Sequence, residues 1–438
     1  MNLYAKIPML KFSTLLKSQL TSPGSFLRNF AVLGSGTLLA QAIPVLVSPV
    51  LTRIYSPEDF AMLALFTALV GTFTPIVCGK YEVALVTPKK RIYAEHLLGI
   101  AVYCAFAISI FLAVVFVIGG KSILAFLNAE RLGIWIFSVP AALLFTGLFT
   151  AGNYWANRNK EYRLMSTARV IRAVLAALTG ILSGLAGAAF AGLLAGFFAG
   201  LLAATLFIFC QDRSLLNHRI WRWSREKKMV LSRYRSYPLY NATSGLMDGI
   251  TLSLPVFFIS RYFPEAVVGY YALVFRVASA PIGFISASVS QINLKKVVDI
   301  VNSGQSPVKY LLTVAALLAS IVSLPAMIII VWGPGLFAIL FGKQWAQSGE
   351  YARILMPAIC VQFTASTLSS TMGATNNNRL GAIWKILAFI STGTMLLLVA
   401  PQGDVWVILY ALTILNMILY TFYFIMILYA AHKPRNFK

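Results

Sequence analysis

The chain has 438 residues, of which 59% are hydrophobic and only 11% charged, with a mean hydropathy of +0.79 and a formal net charge of +23. A soluble globular domain would carry about a quarter charged residues, so that class is excluded, and in a chain this apolar the basic excess reads as membrane topology rather than as a nucleic-acid footprint. Apolar runs of about 20 residues, enough to cross the hydrocarbon layer as helix, recur along nearly the whole length, whereas a closed barrel would need short alternating segments.

Taken in order, residues 1–26 place Lys6, Lys11 and Lys17 among apolar residues. No uninterrupted apolar core precedes a small-residue cleavage site, so this is not read as a cleavable signal. A surface-lying amphipathic segment and a plain basic tail both remain open. Twelve spans are then predicted, at 28–52, 59–79, 95–118, 132–155, 166–186, 189–210, 237–260, 265–291, 309–332, 351–373, 380–400 and 405–429. With both ends placed inside, the inner segments hold 29 of the 36 Lys and Arg residues and the outer loops 6, an asymmetry that fixes orientation. All eight Trp residues fall near span ends, as interfacial belts would require.

The spans repeat. Thr52-Arg53-Ile54-Tyr55-Ser56-Pro57-Glu58-Asp59-Phe60 returns as Ser260-Arg261-Tyr262-Phe263-Pro264-Glu265, Trp155-Ala156-Asn157-Arg158 is echoed by Thr375-Asn376-Asn377-Asn378-Arg379, and Phe126-Leu127-Asn128-Ala129-Glu130 by Phe341-Gly342-Lys343-Gln344-Trp345. Six spans per copy is an even number, so both copies enter the membrane in the same sense and should be related by an axis along its normal. The expected architecture is an all-α polytopic bundle: a basic segment 1–26, an N-lobe 27–210, a basic cytoplasmic linker 211–236, a C-lobe 237–430 and a cytoplasmic tail 431–438. In the linker Arg213, Arg219, Arg222, Arg225, Lys227, Lys228, Arg233 and Arg235 crowd beside Trp221 and Trp223, which suits either anionic lipid or one phosphorylated headgroup. Gly192, Gly196 and Gly200, with Gly180 and Gly184 on the span before, read as a row that lets helices approach closely. Pro44, Pro49, Pro75, Pro140, Pro255, Pro281, Pro325 and Pro357 read as interruptions inside spans.

No nucleophile–base pair, Walker loop or ligand-spaced His/Asp cluster is visible, so neither an enzyme nor an ATP-driven pump is indicated, and no cofactor or metal is expected. Cys78, Cys104, Cys210 and Cys360 are isolated and read as small hydrophobes. The informative residues are charges at membrane depth, each costing roughly 2.5–3.5 kcal/mol if left facing lipid. Arg276 and Asp248 lie mid-span, and two readings stand level: a functional pair, with Arg276 gripping an anionic oxygen and Asp248 taking up a proton or cation, or a salt bridge that only joins two helices. Lys385, Arg169 and Arg172 are shallower and suit either a cationic inner mouth or, the better weighted, snorkelling to the interface. Lys80 and Glu82 close the second span, as an inner gate or a solvated end. Arg53 with Arg261, and Glu58 with Glu265, occupy matching outer positions and suggest a shared task of tying helix ends.

The stretches Leu51–Phe60, Lys80-Tyr81-Glu82-Val83-Ala84-Leu85, Asn157-Arg158 with Tyr162-Arg163, and Leu340-Phe341-Gly342-Lys343-Gln344-Trp345 resemble the O-antigen flippase family of polysaccharide biosynthesis proteins, within the multidrug/oligosaccharidyl-lipid/polysaccharide exporter superfamily. Members usually carry Arg where Lys80 stands. The resemblance implies a MATE-like fold of two six-helix lobes with alternating access in the bacterial inner membrane, and an undecaprenyl-diphosphate-linked oligosaccharide as substrate. It implies an ion gradient as drive, with Asp248 or Glu82 as coupling residues, and an O-antigen polymerase and chain-length regulator as partners. A drug or cation antiporter of the same superfamily and a non-transporting scaffold for glycan assembly are the alternatives; nucleic acid is not an expected partner.

Overall fold

The computed structural model describes residues 26–212 and 218–432. The basic N-terminal stretch, Arg213 in the linker and residues 433–438 of the tail lie outside the described residues. Twelve long helices follow one another: α1 Phe26–Ile54, α2 Pro57–Phe73, α3 Arg91–Leu127, α4 Val139–Arg158, α5 Tyr162–Leu185, α6 Ala189–Gln211, α7 Thr243–Tyr262, α8 Glu265–Asn302, α9 Val308–Phe341, α10 Ala346–Thr367, α11 Asn378–Val399 and α12 Val405–His432. Among the described residues ten helical stretches are long and apolar enough to cross a membrane. The two helices outside that set are α2, of 17 residues, and α8, and they pack on each other at the centre of the molecule.

The hinge at 52–60 starts α2 by chemistry readable in the sequence. Ser56 Oγ accepts from the Asp59 backbone N–H while the Asp59 carboxylate accepts from the Ser56 N–H, and Pro57 opens the helix. This reciprocal box satisfies two donors that the first turn would otherwise leave open. At its other end α2 stops at Phe73, six residues before the expected 79. Pro75 offers no N–H to the preceding turn, and the chain continues in tight turns through Gly79 and Lys80, both at φ +60°. Pro75 therefore stands beyond the end of α2, not inside a span as expected; Pro140 opens α4 yet lies within the apolar stretch Glu130–Arg158, and Pro44, Pro49, Pro255, Pro325 and Pro357 are helix-internal. The helices α3, α8 and α9 run to 37, 38 and 34 residues and overshoot their expected ends. At ~1.5 Å per residue each is longer than the hydrocarbon layer is thick.

The packing repeats with a shift of six helices. Helix α1 packs on α5 and α7 on α11, α3 on α4 and α9 on α10, α4 on α6 and α10 on α12, α5 on α6 and α11 on α12. Between the halves the contacts exchange: α2 meets α8, α1 meets α8 as α7 meets α2, and α1 meets α9 as α7 meets α3. Interchanging the two halves reproduces each of these pairings, which is the signature of two equivalent lobes about a two-fold axis. Within the N-lobe the glycine row does what its spacing suggests. A Cβ on Gly196 would sit 2.6 Å from the Ala176 carbonyl oxygen, and one on Gly200 2.3 Å from that of Arg172, so α5 and α6 touch backbone to backbone.

Two of the eight tryptophans depart from a lipid-facing belt. Trp155 and Trp345 are fully buried, and their indole N–H groups donate to Asp212 Oδ2 and to the Thr52 carbonyl at 2.7 and 2.8 Å. A buried indole needs such an acceptor; these two pin helix ends, while Trp135, Trp223, Trp332 and Trp406 are exposed.

Candidate translocation cavity

The molecule has two faces, one carrying the 52–60 hinge and its repeat, the other carrying the described linker residues 218–236. At the hinge face the lobes are joined by bonds that mirror one another. Arg53, ending α1, donates to the Ile339 carbonyl near the end of α9 at 3.2 Å; Arg261, ending α7, donates to the Ala125 carbonyl near the end of α3 at 3.1 Å. Each guanidinium thus reaches a carbonyl in the last turn of a helix of the opposite lobe. Gln344 and Trp345 donate to the Thr52 carbonyl and Ser260 to that of Leu127, at 2.8, 2.8 and 2.6 Å. Arg131 lies 3.4 Å from both Asp59 and Glu265, bridging the starts of α2 and α8. A Cβ on Gly269 would fall 1.9 Å from the Pro57 carbonyl oxygen, so α2 and α8 meet there without a gap.

Behind this closure lie two cavities. One, of about 480 Å³, is bounded by α1, α2, α4, α5 and α6 of the N-lobe; the other, of about 610 Å³, by α7, α8, α10, α11 and α12 with α2. Leu63, Thr67 and Arg276 line both. Arg276, mid-helix on α8, reaches across the seam so that its Nε donates to Ser48 Oγ on α1 at 3.1 Å, with its guanidinium over the Phe60 ring at 5.6 Å. Arg169 and Arg172, three apart on one face of α5, line the N-lobe cavity with it. Arg169 Nη1 donates to Thr37 Oγ1 at 2.7 Å, and Arg172 lies over the Phe149 ring at 5.3 Å. Among the described residues neither Arg169 nor Arg172 forms an ion pair. Gln41, on the same wall, keeps a buried Oε1 with no hydrogen-bond partner.

Arg169 and Arg172 thus line a partly open cavity together with Arg276. Arg276 and Asp248 do not form the salt bridge that was one of their two readings. Asp248 Oδ2 on α7 instead accepts from Lys385 Nζ on α11 at 2.6 Å, with Ser244 Oγ 3.2 Å from the same ammonium. The pair stands towards the linker face from the C-lobe cavity and is only partly covered, 35% and 40% exposed, so it is not a buried lock. Lys385 lines neither cavity, and its ammonium is held by Asp248. Lys80, left-handed at φ +60°, lies against the start of α7, its Cε 3.1 Å from where a Gly245 Cβ would be. Glu82, two residues on, is buried with no hydrogen-bond partner at Oε2, and burial pushes its carboxyl above the ordinary range, against the weaker pull of a backbone hydrogen bond and of Lys80. The amides Gln41, Gln362 and Asn416 also line the cavities. Sequence reasoning passed over them, although an amide at membrane depth carries the same signal as a charge, more weakly.

Residues 50–350 match the family model described as polysaccharide biosynthesis protein. The chain belongs to that family. No curated protein matches it in sequence. Among solved structures, a multidrug resistance MATE family transporter of the MOP superfamily in an inward-facing conformation superposes with a TM-score of 0.71 at 14% identity, covering 92% of this chain and 96% of that one. The lipid II flippase MurJ, in an inward closed conformation, gives a TM-score of 0.68 at 14% identity over 90% and 86%. The Vibrio cholerae MATE transporter VcmN in its bent form gives 0.53 at 12% identity over 96% and 98%. At such identities the likeness establishes the fold of this polysaccharide biosynthesis family member: a helical membrane protein built as the flippases and transporters of that superfamily are.

Proposed function

We propose that this protein is a flippase that moves an undecaprenyl-diphosphate-linked oligosaccharide, an O-antigen or related repeat unit, from the cytoplasmic to the periplasmic leaflet of a bacterial inner membrane. The observation that carries the reading is the convergence of Arg169, Arg172 and Arg276 on one cavity beneath a closed hinge face. A diphosphate bears planar sets of anionic oxygens that guanidinium forks match. The three side chains are held by hydroxyls and rings, which a stronger anionic acceptor can displace. The sugar head fits a polar passage, while the polyprenyl tail stays in lipid. With the linker and both termini placed in the cytoplasm by the Lys/Arg asymmetry, the closed face is periplasmic and the cavities belong to an inward-facing state. Alternating access then requires the lobes, taken as 27–210 and 237–430 about the 211–236 linker, to rock until the hinge-face bonds break. Glu82 is the favoured coupling residue, because Asp248 already has a cation in Lys385 while the Glu82 carboxyl is buried with an open oxygen. The polymerase and chain-length regulator would meet the product on the periplasmic side.

The test is reconstitution of the full chain in vesicles holding a fluorescent lipid-linked oligosaccharide on one leaflet. Appearance of the glycan on the opposite leaflet supports the reading. Absence of movement, with ion-driven efflux of organic cations instead, would replace it with the antiporter; absence of both would favour the scaffold.

A further inference from the structure

The linker does not hang free beneath the lobes. Its helical turn His218–Trp221 and helix Arg225–Arg233 are fastened along the first turns of α3. Lys227, fully buried, donates from Nζ to the Ile220 carbonyl at 2.7 Å and lies 4.9 Å from the Tyr103 ring centre. The Tyr103 hydroxyl donates to the Trp221 carbonyl, and His96 Nε2 stands 3.3 Å from Glu226. A Cβ on Gly99 would meet the Ile220 oxygen at 2.2 Å, so the contact is backbone-close. Burial pushes the Lys227 ammonium below its ordinary range, a cost accepted to hold the linker in place.

The depth of this contact is readable from α3. After Ile92, exposed in the first turn, residues 94–102 are all buried, and a sustained run of large exposed apolar residues starts at Phe106 and continues through Ile110, Phe111, Val117 and Ile118. The lipid-facing belt therefore starts one turn beyond Tyr103. The level just below it, where headgroups lie, is taken over by the outer side of the linker. That side exposes Arg222, Trp223, Arg225, Lys228 and Met229, with Trp223 and Met229 at 59% and 64% and the Trp223 ring 6.0 Å from Tyr103. Among the described residues Arg222, Arg225 and Lys228 form no ion pair, and the neighbouring acid, Glu226, is turned to His96.

We infer that this surface is a docking site for the anionic phospholipid headgroups of the bilayer's linker-side leaflet, with Trp223 and Met229 seated among the upper acyl carbons and Arg222, Arg225 and Lys228 on the phosphates. An amphipathic ring at the boundary and cations beside it are the two elements such a surface needs. The docked linker belongs to the N-lobe. It rejoins the C-lobe through a π-helical stretch, Tyr237–Ala242, the kind of local irregularity at which helices flex. The lipid would thereby anchor one lobe and leave the other to pivot.

The experiment is hydrogen exchange of residues 218–235 in the full chain, held in nanodiscs of phosphatidylcholine alone or with added phosphatidylglycerol. Slower exchange in the anionic discs is expected, diminished about fivefold for each charge removed in the series Arg222→Gln, Arg225→Gln and Lys228→Gln, from roughly 1 kcal/mol per basic residue near an anionic surface. Unchanged protection of residues 96–103 shows that the linker remains fastened in the variants. Equal exchange in the two disc types overturns the proposal, as does anionic-lipid protection that survives undiminished in the triple variant. Neither outcome depends on whether the protein transports anything.

Discussion

At the residue scale the cationic cluster and the buried acid make separate demands. Arg276 lines both cavities and reaches from α8 to α1. Charge-assisted hydrogen bonds are worth about 1.5–3 kcal/mol, so Arg276→Ala is expected to lower the initial flipping rate about tenfold or more. Arg276→Lys should recover only part of it, because an ammonium lacks the planar fork; rates in reconstituted vesicles decide. Glu82 lies outside the spanning helices, and its carboxyl is raised above the ordinary 4.5 by burial first of all. The folded chain therefore holds that proton more tightly than the unfolded one. The stability it contributes is complete below the unfolded value and is lost as pH climbs through the raised folded value. Glu82→Gln should flatten that decline, measured as the melting temperature in detergent across the acid-to-neutral range; a slope identical to the parent's would contradict it. Arg276, Arg169 and Arg172 could be singled out in the sequence because a charge in an apolar run is conspicuous. Their partners Ser48 and Thr37 could not, since hydroxyls are common in spans and usually bond to their own helix.

At the element scale, the glycine row on α6 was legible because spacing alone dictates which residues share a helix face. What the row touches was not. The backbone carbonyl beneath Gly200 belongs to Arg172, so packing and cavity charge are built on the same turn of α5. Gly200→Ala places a methyl 2.3 Å from that oxygen, and overpacking of this kind costs about 1–3 kcal/mol. The variant should melt lower and transport more slowly at a temperature where it is still folded, whereas an alanine at Gly187, where a Cβ meets nothing, carries only the strain of φ +80°. The capping box at Ser56 was likewise written in Ser-Pro-Glu-Asp. The early end of α2 was not, because a rule about apolar runs extends a helix until the polarity changes. Here Pro75 ended it first, and the chain stayed apolar through Val77 and Cys78, both buried.

At the scale of the whole molecule, the two lobes meet through contacts that exchange under their pseudo-symmetry, and the hinge face is held by two equivalent arginines. Arg53 and Arg261 each make one cross-lobe bond to a helix-end carbonyl, and both side chains are solvent-accessible, so each contributes modestly. Together with the Arg131 bridge they bias a closed face against an open one. The double change Arg53→Ala and Arg261→Ala is expected to raise the reactivity of a cysteine placed at Thr67, which lines both cavities, towards a membrane-impermeant thiol reagent added from the hinge side. The four native cysteines, replaced beforehand, would not interfere. Unaltered reactivity in the double variant would mean that the remaining contacts, the Trp345 and Gln344 bonds to Thr52, the Ser260 bond to Leu127 and the Arg131 bridge, suffice to keep the face shut.

The sequence by itself determined that this is a helical membrane protein of twelve long segments, that it is a duplication, and that few charges enter its apolar depth. Hydrophobic length, repeat spacing and charge are properties of the chain read locally, and the bilayer permits few ways to satisfy them. Only the tertiary structure decided which charges meet. Asp248 found Lys385 and not Arg276, and Arg276 joined Arg169 and Arg172 on one wall. Those pairings depend on how each helix is rotated about its axis and which neighbour it faces. Such rotations are set by close packing between segments far apart in sequence, which no apolar run records.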